Sequence, residues 1–169
     1  MKTLPTCQLE AEVYHNTEHP LPLPKIDFAD TFSTTNHKDD LAQIARKILT
    51  INNRWIRFLF QLRNTLVGFL GLKTTLSADY NEEFTVGGYI GFFKIYAIRP
   101  NEVVLGANDA HLNFRLVLTD TQELRYNIKA TTLVQFNNRF GSIYMGLIAP
   151  FHRLVVRRMV AQAYAPQQP

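Results

Sequence analysis

The feature that most constrains this chain is a change of period near residue 88. Over residues 88–136 apolar and polar side chains alternate in steps of two, the spacing of strands whose two faces meet different surroundings. The alternation is clearest where Leu112, Phe114, Leu116 and Leu118 stand against His111, Asn113, Arg115 and Val117. Polar breaks divide the run. Pro100-Asn101 reads as a hairpin turn and Asp120-Thr121-Gln122-Glu123 as another, on residue types that favour turns. The strands expected are 88–98, with Gly87-Gly88 as a bulge or tight turn, then 102–106, 111–119 and 124–136. The last alternates Leu124, Tyr126, Ile128, Ala130, Thr132, Val134 and Phe136 against Arg125, Asn127 and Lys129, and ends at Asn137-Asn138. Strands joined by short turns form one antiparallel sheet. One face of that sheet needs cover.

Helical patterns on either side supply the cover. Asp39 and Asp40 suit the positive end of a helix dipole and precede Leu41, Ile44, Ala45 and Ile48 on one face. A break at Thr50-Ile51-Asn52-Asn53 follows, and Trp55, Leu59, Leu62, Leu66 and Phe69 then mark a second helix over residues 54–70, stopped by Gly71. A last helix spans residues 140–163, with Phe140, Ile143, Tyr144, Leu147, Ile148, Phe151, Leu154, Val155 and Met159 expected on one face. Pro150 removes a backbone donor and crowds the carbonyl of Gly146, which predicts a kink or a restarted helix. Ahead of the helices, residues 25–34 alternate as a first strand, with Ile26, Phe28 and Phe32 against Asp27, Asp30 and Ser33. Residues 1–24 contain His19-Pro20-Leu21-Pro22-Leu23-Pro24 and read as an extended arm. The division is an arm over 1–24, one domain over 25–165 and a tail over 166–169.

Composition removes several function classes. The single cysteine, Cys7, excludes an intrachain disulfide, so stability must come from the core. The net charge of +4 is spread along the chain without a basic stripe, which argues against nucleic acid as a partner. The longest apolar stretch, residues 55–72, carries Arg57, Gln61, Arg63 and Asn64, which argues against a membrane span. No apolar leader pattern stands in residues 1–14, and the location expected is cytoplasmic. His15 and His19 lack a third ligand and precede Pro20, so no metal is expected. No Gly-rich dinucleotide fingerprint is present and no cofactor is expected.

Seven segments, taken in order, carry a resemblance: Phe28-Ala29-Asp30-Thr31-Phe32, Leu62-Arg63-Asn64, Phe69-Leu70-Gly71-Leu72-Lys73, Gly88-Tyr89-Ile90-Gly91-Phe92-Phe93, Glu102-Val103-Val104-Leu105-Gly106, Asp109-Ala110-His111-Leu112-Asn113-Phe114-Arg115 and Pro150-Phe151-His152-Arg153. Together they resemble a mainly bacterial family of domains of unknown function, number 2867, over about residues 26–163. That family is similar to the START-like (SRPBCC, helix-grip) superfamily. The resemblance implies an α+β helix-grip fold: a strand, two helices, an antiparallel meander and a long C-terminal helix packed across the sheet. It also implies a cavity for an apolar or aromatic ligand. It assigns no catalytic residue.

The polar candidates follow from spacing. Alternation places Asp109, His111, Asn113 and Arg115 on one side of a strand. An aspartate beside a histidine orients the imidazole for acid–base work, whereas the same pattern on a half-covered sheet is a solvated outer face. His152 stands at the edge of the last helix's apolar stripe, able to enter the cavity and meet Asp30 or His111. Arg63 suits a carboxylate ligand, or an ion pair with Asp30 or Asp109. Arg158 falls near the centre of the expected apolar face.

Three functional readings result. The first is a non-catalytic protein binding a small apolar or aromatic ligand between sheet and last helix, with Phe93, Phe114, Tyr126, Tyr144 and Phe151 in the lining and Arg63, His111 or Arg115 as polar contacts. The second is a cyclase, hydrolase or isomerase using Asp109 and His111 as an acid–base pair, with His152 a further catalytic candidate. The third is a structural module, a homodimer through the exposed sheet face.

Overall fold

The computed structural model describes residues 8–10, 22–49 and 80–165. Among them are seven strands, β1 (Gln8–Glu10), β2 (Phe28–Thr34), β3 (Tyr89–Ile90), β4 (Phe93–Arg99), β5 (Glu102–Asn108), β6 (Leu112–Asp120) and β7 (Ile128–Phe136). Two helices accompany them, α1 (Leu41–Leu49) and α2 (Arg139–Ala161). The helix expected over residues 54–70, Arg63 included, lies outside the described residues.

The strands form one sheet in the order β1-β2-β7-β6-β5-β4-β3, with every neighbouring pair antiparallel. β3 to β7 are a meander, as expected from short turns. β2 closes against β7, where Thr31 and Thr131 pair and their hydroxyls lie 2.9 Å apart.

Alternation gives the sheet two covered faces. On the inner face Phe32, Ile95, Leu105, Leu116, Leu118 and Ile128 pack with Ile44 and Ile48 of α1 and with Met159 and Val160 of α2. Each fully buried Leu, Ile or Val contributes about 1.5–3 kcal/mol relative to exposure. On the outer face Val104, Val117 and Leu133 are covered by Leu23, with Ile26 beside them. The chain around Leu23 therefore lies against the side of the sheet opposite α2.

Both helices begin as their sequences suggest. Asp40 Oδ1 accepts from the Gln43 amide at 2.7 Å while Gln43 Oε1 accepts from the Asp40 amide at 3.2 Å, a reciprocal cap on α1. Asn138 caps α2, its Oδ1 accepting from the Gly141 amide at 3.1 Å.

Five expectations are corrected. Residues 88–98 are not one strand: Gly91, at φ 60°, turns the chain between Ile90 and Phe93, which pair in a hairpin, a conformation glycine adopts without strain. The last strand starts at Ile128 rather than 124. Gln122 and Tyr126 hold positive φ in the preceding loop, and Leu124 is 89% exposed. Asp30 does not share the polar face of β2, because in strand order it falls with Phe28 and Phe32 on the inner side, and it is buried. α2 runs through Pro150 as one helix, so of the two outcomes expected there the restarted helix does not occur. α2 is also rotated from the expected face. Tyr144, Met145, Met159 and Val160 are buried, while Ile143, Leu147 and Phe151 are 70%, 68% and 57% exposed. Arg158 is accordingly exposed rather than central to the packed face.

Candidate functional site

α2 does not seal the inner face completely. A cavity of about 180 Å³ remains between them. α2 contributes Tyr144, Met145, Ile148, His152 and Val155 to its wall, the sheet contributes Phe114, Leu116, Thr132 and Val134, and the β3–β4 hairpin contributes Phe92 and Phe93. Ile48 and Leu49 of α1 also line it. Aromatic rings dominate one wall. Phe92 stacks on Phe93 with ring centroids 4.0 Å apart, and Phe93 meets Phe114 edge-on at 5.7 Å. Against this apolar lining the side chains with polar atoms are His111, His152, Thr132 and, through its phenol, Tyr144.

His111 is held in place by the start of α2. It precedes β6, in the turn after β5, and is buried. Its carbonyl accepts from the Asn137 amide at 3.0 Å. Asn137 Nδ2 donates to the Asp109 carbonyl at 2.7 Å and Asn138 Nδ2 to the Ala110 carbonyl at 3.1 Å. A Cβ at Gly141 would stand 2.1 Å from the His111 carbonyl oxygen, so only glycine lets the helix sit this close. The imidazole meets Tyr144 edge-on at 5.0 Å, and its Nδ1 lies 3.6 Å from Asp109 Oδ2.

His152 enters from the middle of α2. Its Nε2 lies 3.5 Å from Asp30 Oδ1, and its ring stands edge-on to Phe28 at 6.0 Å. Arg153 Nε approaches the other carboxylate oxygen at 3.9 Å. These separations exceed those of a formed hydrogen bond. Neither Asp30 oxygen nor His152 Nε2 has a hydrogen-bond partner among the described residues. Thr132, the cross-strand partner of Asp30, lines the cavity.

The residues singled out from sequence divide into two groups. Phe93, His111, Phe114, Tyr144 and His152 come together at the cavity. Arg115 does not: strand alternation puts it on the outer face, where its guanidinium lies 3.7 Å over the Tyr96 ring and donates to Asn108 Oδ1 at 2.9 Å. Burial pushes its pKa below the ordinary value. A bulge between Ile95 and Ala97 brings Tyr96 to that face. Tyr126 sits in the β6–β7 loop, its amide donating to Thr35 Oγ1 at 2.9 Å. Phe151 lies on the solvent side of α2. The set Asp109, His111, Asn113 and Arg115 is thus split, because His111 precedes the strand and escapes its alternation.

Sequence reasoning missed Phe92, Thr132, Met145, Ile148 and Val155 as lining. Thr132 was legible from its place between Ala130 and Val134, both apolar and on one face. Phe92 was not, since its position depends on the turn at Gly91.

A family model described as "Protein of unknown function (DUF2867)" matches residues 22–159. The chain belongs to the DUF2867 family. No curated protein and no solved structure matches it. Every cavity residue named above lies within the DUF2867 span, as do Asp30 and Asp109. Among the described residues no group of three or more His, Cys, Asp or Glu could hold a metal ion, and no helix is long and apolar enough to cross a membrane.

Proposed function

We propose that this DUF2867 protein binds a small apolar or aromatic molecule in the cavity beneath α2, in the manner of a START-like helix-grip domain. One observation carries the reading: a cavity of about 180 Å³ between helix and sheet, lined mostly by apolar side chains with His111, His152, Thr132 and the Tyr144 phenol as the polar exceptions. Binding sites for small molecules are mostly apolar with a few placed polar groups. Size narrows the ligand. An apolar cavity of about 150 Å³ takes benzene, so this space suits one substituted ring or a short chain, and a sterol exceeds it.

The test is a thermal-shift and NMR titration with single-ring aromatics and short alkanols. A ligand at about 100 times its Kd stabilises by about 2.7 kcal/mol, which raises Tm by several degrees. Ile148→Phe, which fills the cavity, is expected to abolish the gain. A wild-type protein that responds to none of these compounds, or a filled variant that responds equally, overturns the reading.

A second reading rests on the 3.6 Å approach of Asp109 Oδ2 to His111 Nδ1, with His111 at the cavity wall. Such a pair serves an acid–base enzyme of the cyclase, hydrolase or isomerase kind. It requires that a bound compound be recovered chemically changed from wild type and unchanged from His111→Gln.

A further inference from the structure

We propose that Asp30 and His152 form a receiving pair for a hydroxyl group, so that the cavity takes an alcohol or phenol in preference to a hydrocarbon, an acid or an amine. The inference rests on the cavity-binding reading and names the ligand class within it.

Asp30 is the observation that ordinary packing leaves unexplained. It stands on the inner face of β2 between Phe28 and Phe32, and is 6% exposed. A buried carboxylate is costly unless paired and hydrogen-bonded. Arg153 offsets its charge from 3.9 Å but is half exposed and makes no hydrogen bond to it. His152 Nε2 is 3.5 Å from Oδ1, also without a hydrogen-bond partner among the described residues. Three buried polar atoms on two neighbouring side chains thus lack partners at a point where one of the two, His152, borders the cavity. Unsatisfied buried groups in native proteins call for an explanation, and a ligand group that pairs with both side chains at once supplies one.

The donor and acceptor inventory selects that group. An ionised carboxylate only accepts, and a ring N–H donates. A hydroxyl does both: its O–H donates to Asp30 while its oxygen accepts from His152 Nε2–H. A carboxylate ligand places two negative groups side by side. An ammonium group donates to Asp30 but offers His152 no acceptor. A hydrocarbon leaves all three atoms without partners. Sites built to hydrogen-bond a hydroxyl discriminate strongly against the analogue that lacks it, because their own polar groups are then left unpaired. The ring or chain of the ligand extends from this point along Val134, Phe114 and Tyr144, which share the lining.

The experiment is a calorimetric titration of the full chain with five ring compounds of similar size: phenol, toluene, anisole, benzoate and benzylamine. Phenol is expected to bind at least ten-fold more tightly than toluene or anisole, and benzoate and benzylamine more weakly than phenol. In His152→Phe the preference for phenol over toluene is expected to vanish while toluene still binds. Asp30→Asn is the second variant, expected to reduce the preference without removing ring binding. If no ring compound binds, the cavity reading fails and this inference with it. If toluene binds but phenol holds no advantage, or benzoate or benzylamine binds best, the cavity reading stands and the hydroxyl inference is overturned. Survival of the phenol preference in both variants overturns it too.

Discussion

Asn36 and Asp39 show how much single side chains do at the junction of β2 and α1. The Asn36 amide donates to Asn127 Oδ1 at 2.9 Å, and Asn127 Nδ2 donates to the Asn36 carbonyl at 2.8 Å. Asn36 Nδ2 donates to the Ala163 carbonyl at 2.6 Å and to Asp39 Oδ2 at 2.7 Å. One buried residue, through its backbone and its side chain, thus ties the end of β2, the start of α1, the chain after α2 and the β6–β7 loop. Lys47 Nζ, 2.6 Å from Asp39 Oδ2, and Asn36 hold the Asp39 carboxyl below its ordinary value of 3.8. Lys25 and the Phe136 amide do the same for Asp27. A folded pKa below the unfolded one gives stability that is complete above the unfolded value and is lost as pH falls through the folded one. Urea midpoints are therefore expected to drop more steeply from about pH 5 to about pH 3 in wild type than in Asp39→Asn. Parallel curves would count against this account. The Asn36 contacts to Asn127 and Ala163 were not legible in the sequence, because those residues lie 91 and 127 positions away and hydrogen bonds at that range follow from the fold.

At the scale of elements, the last helix was legible in kind and in length but not in orientation. Its boundaries were read within two residues. Its packed face was not, because apolar residues lie nearly all round it: Ile143, Leu147, Phe151 and Leu154 on one side, Met145, Ile148, Val155 and Val156 on the other. Periodicity fixes a period and cannot choose between two apolar stripes. Two contacts mark the side that packs, Gly141 against the His111 carbonyl and His152 toward Asp30. Pro150 lies exposed within the unbroken helix and leaves the Gly146 carbonyl without its usual donor. Pro150→Ala restores that bond and is expected to raise stability by about 1–3 kcal/mol, read as a higher urea midpoint with an unchanged m-value. A lower midpoint would mean that the surrounding structure depends on the proline. The strands show the complementary limit. Their alternation was legible, and the turn at Gly91 was not, since Ile90 and Phe92-Phe93 continue the apolar run through it.

The whole molecule depends on a pairing that period alone does not specify. The meander from β3 to β7 follows from short turns, but the place of β2 beside β7 joins residues 100 positions apart, such as Thr31 and Thr131. The same closure sets β7, which supplies Thr132 and Val134 to the cavity wall, beside β2, which brings Asp30 and Phe28 to His152. Ending the chain at residue 127 removes β7, and with it the neighbour of both β2 and β6. Such a fragment is expected to stay unfolded, with collapsed amide dispersion in its NMR spectrum and low recovery in the soluble fraction. A folded fragment would show that the sheet does not need this closure.

The β2–β7 pairing also sets a timetable for synthesis. At about 5–20 residues per second, the two strands leave the ribosome about 5–20 s apart. Through that interval β2 has no β7 to lie against, and Phe28 and Phe32 lack α2, which is made later still. A chaperone that recognises extended apolar segments on nascent chains meets one at β2 before the strand that retires it has been translated.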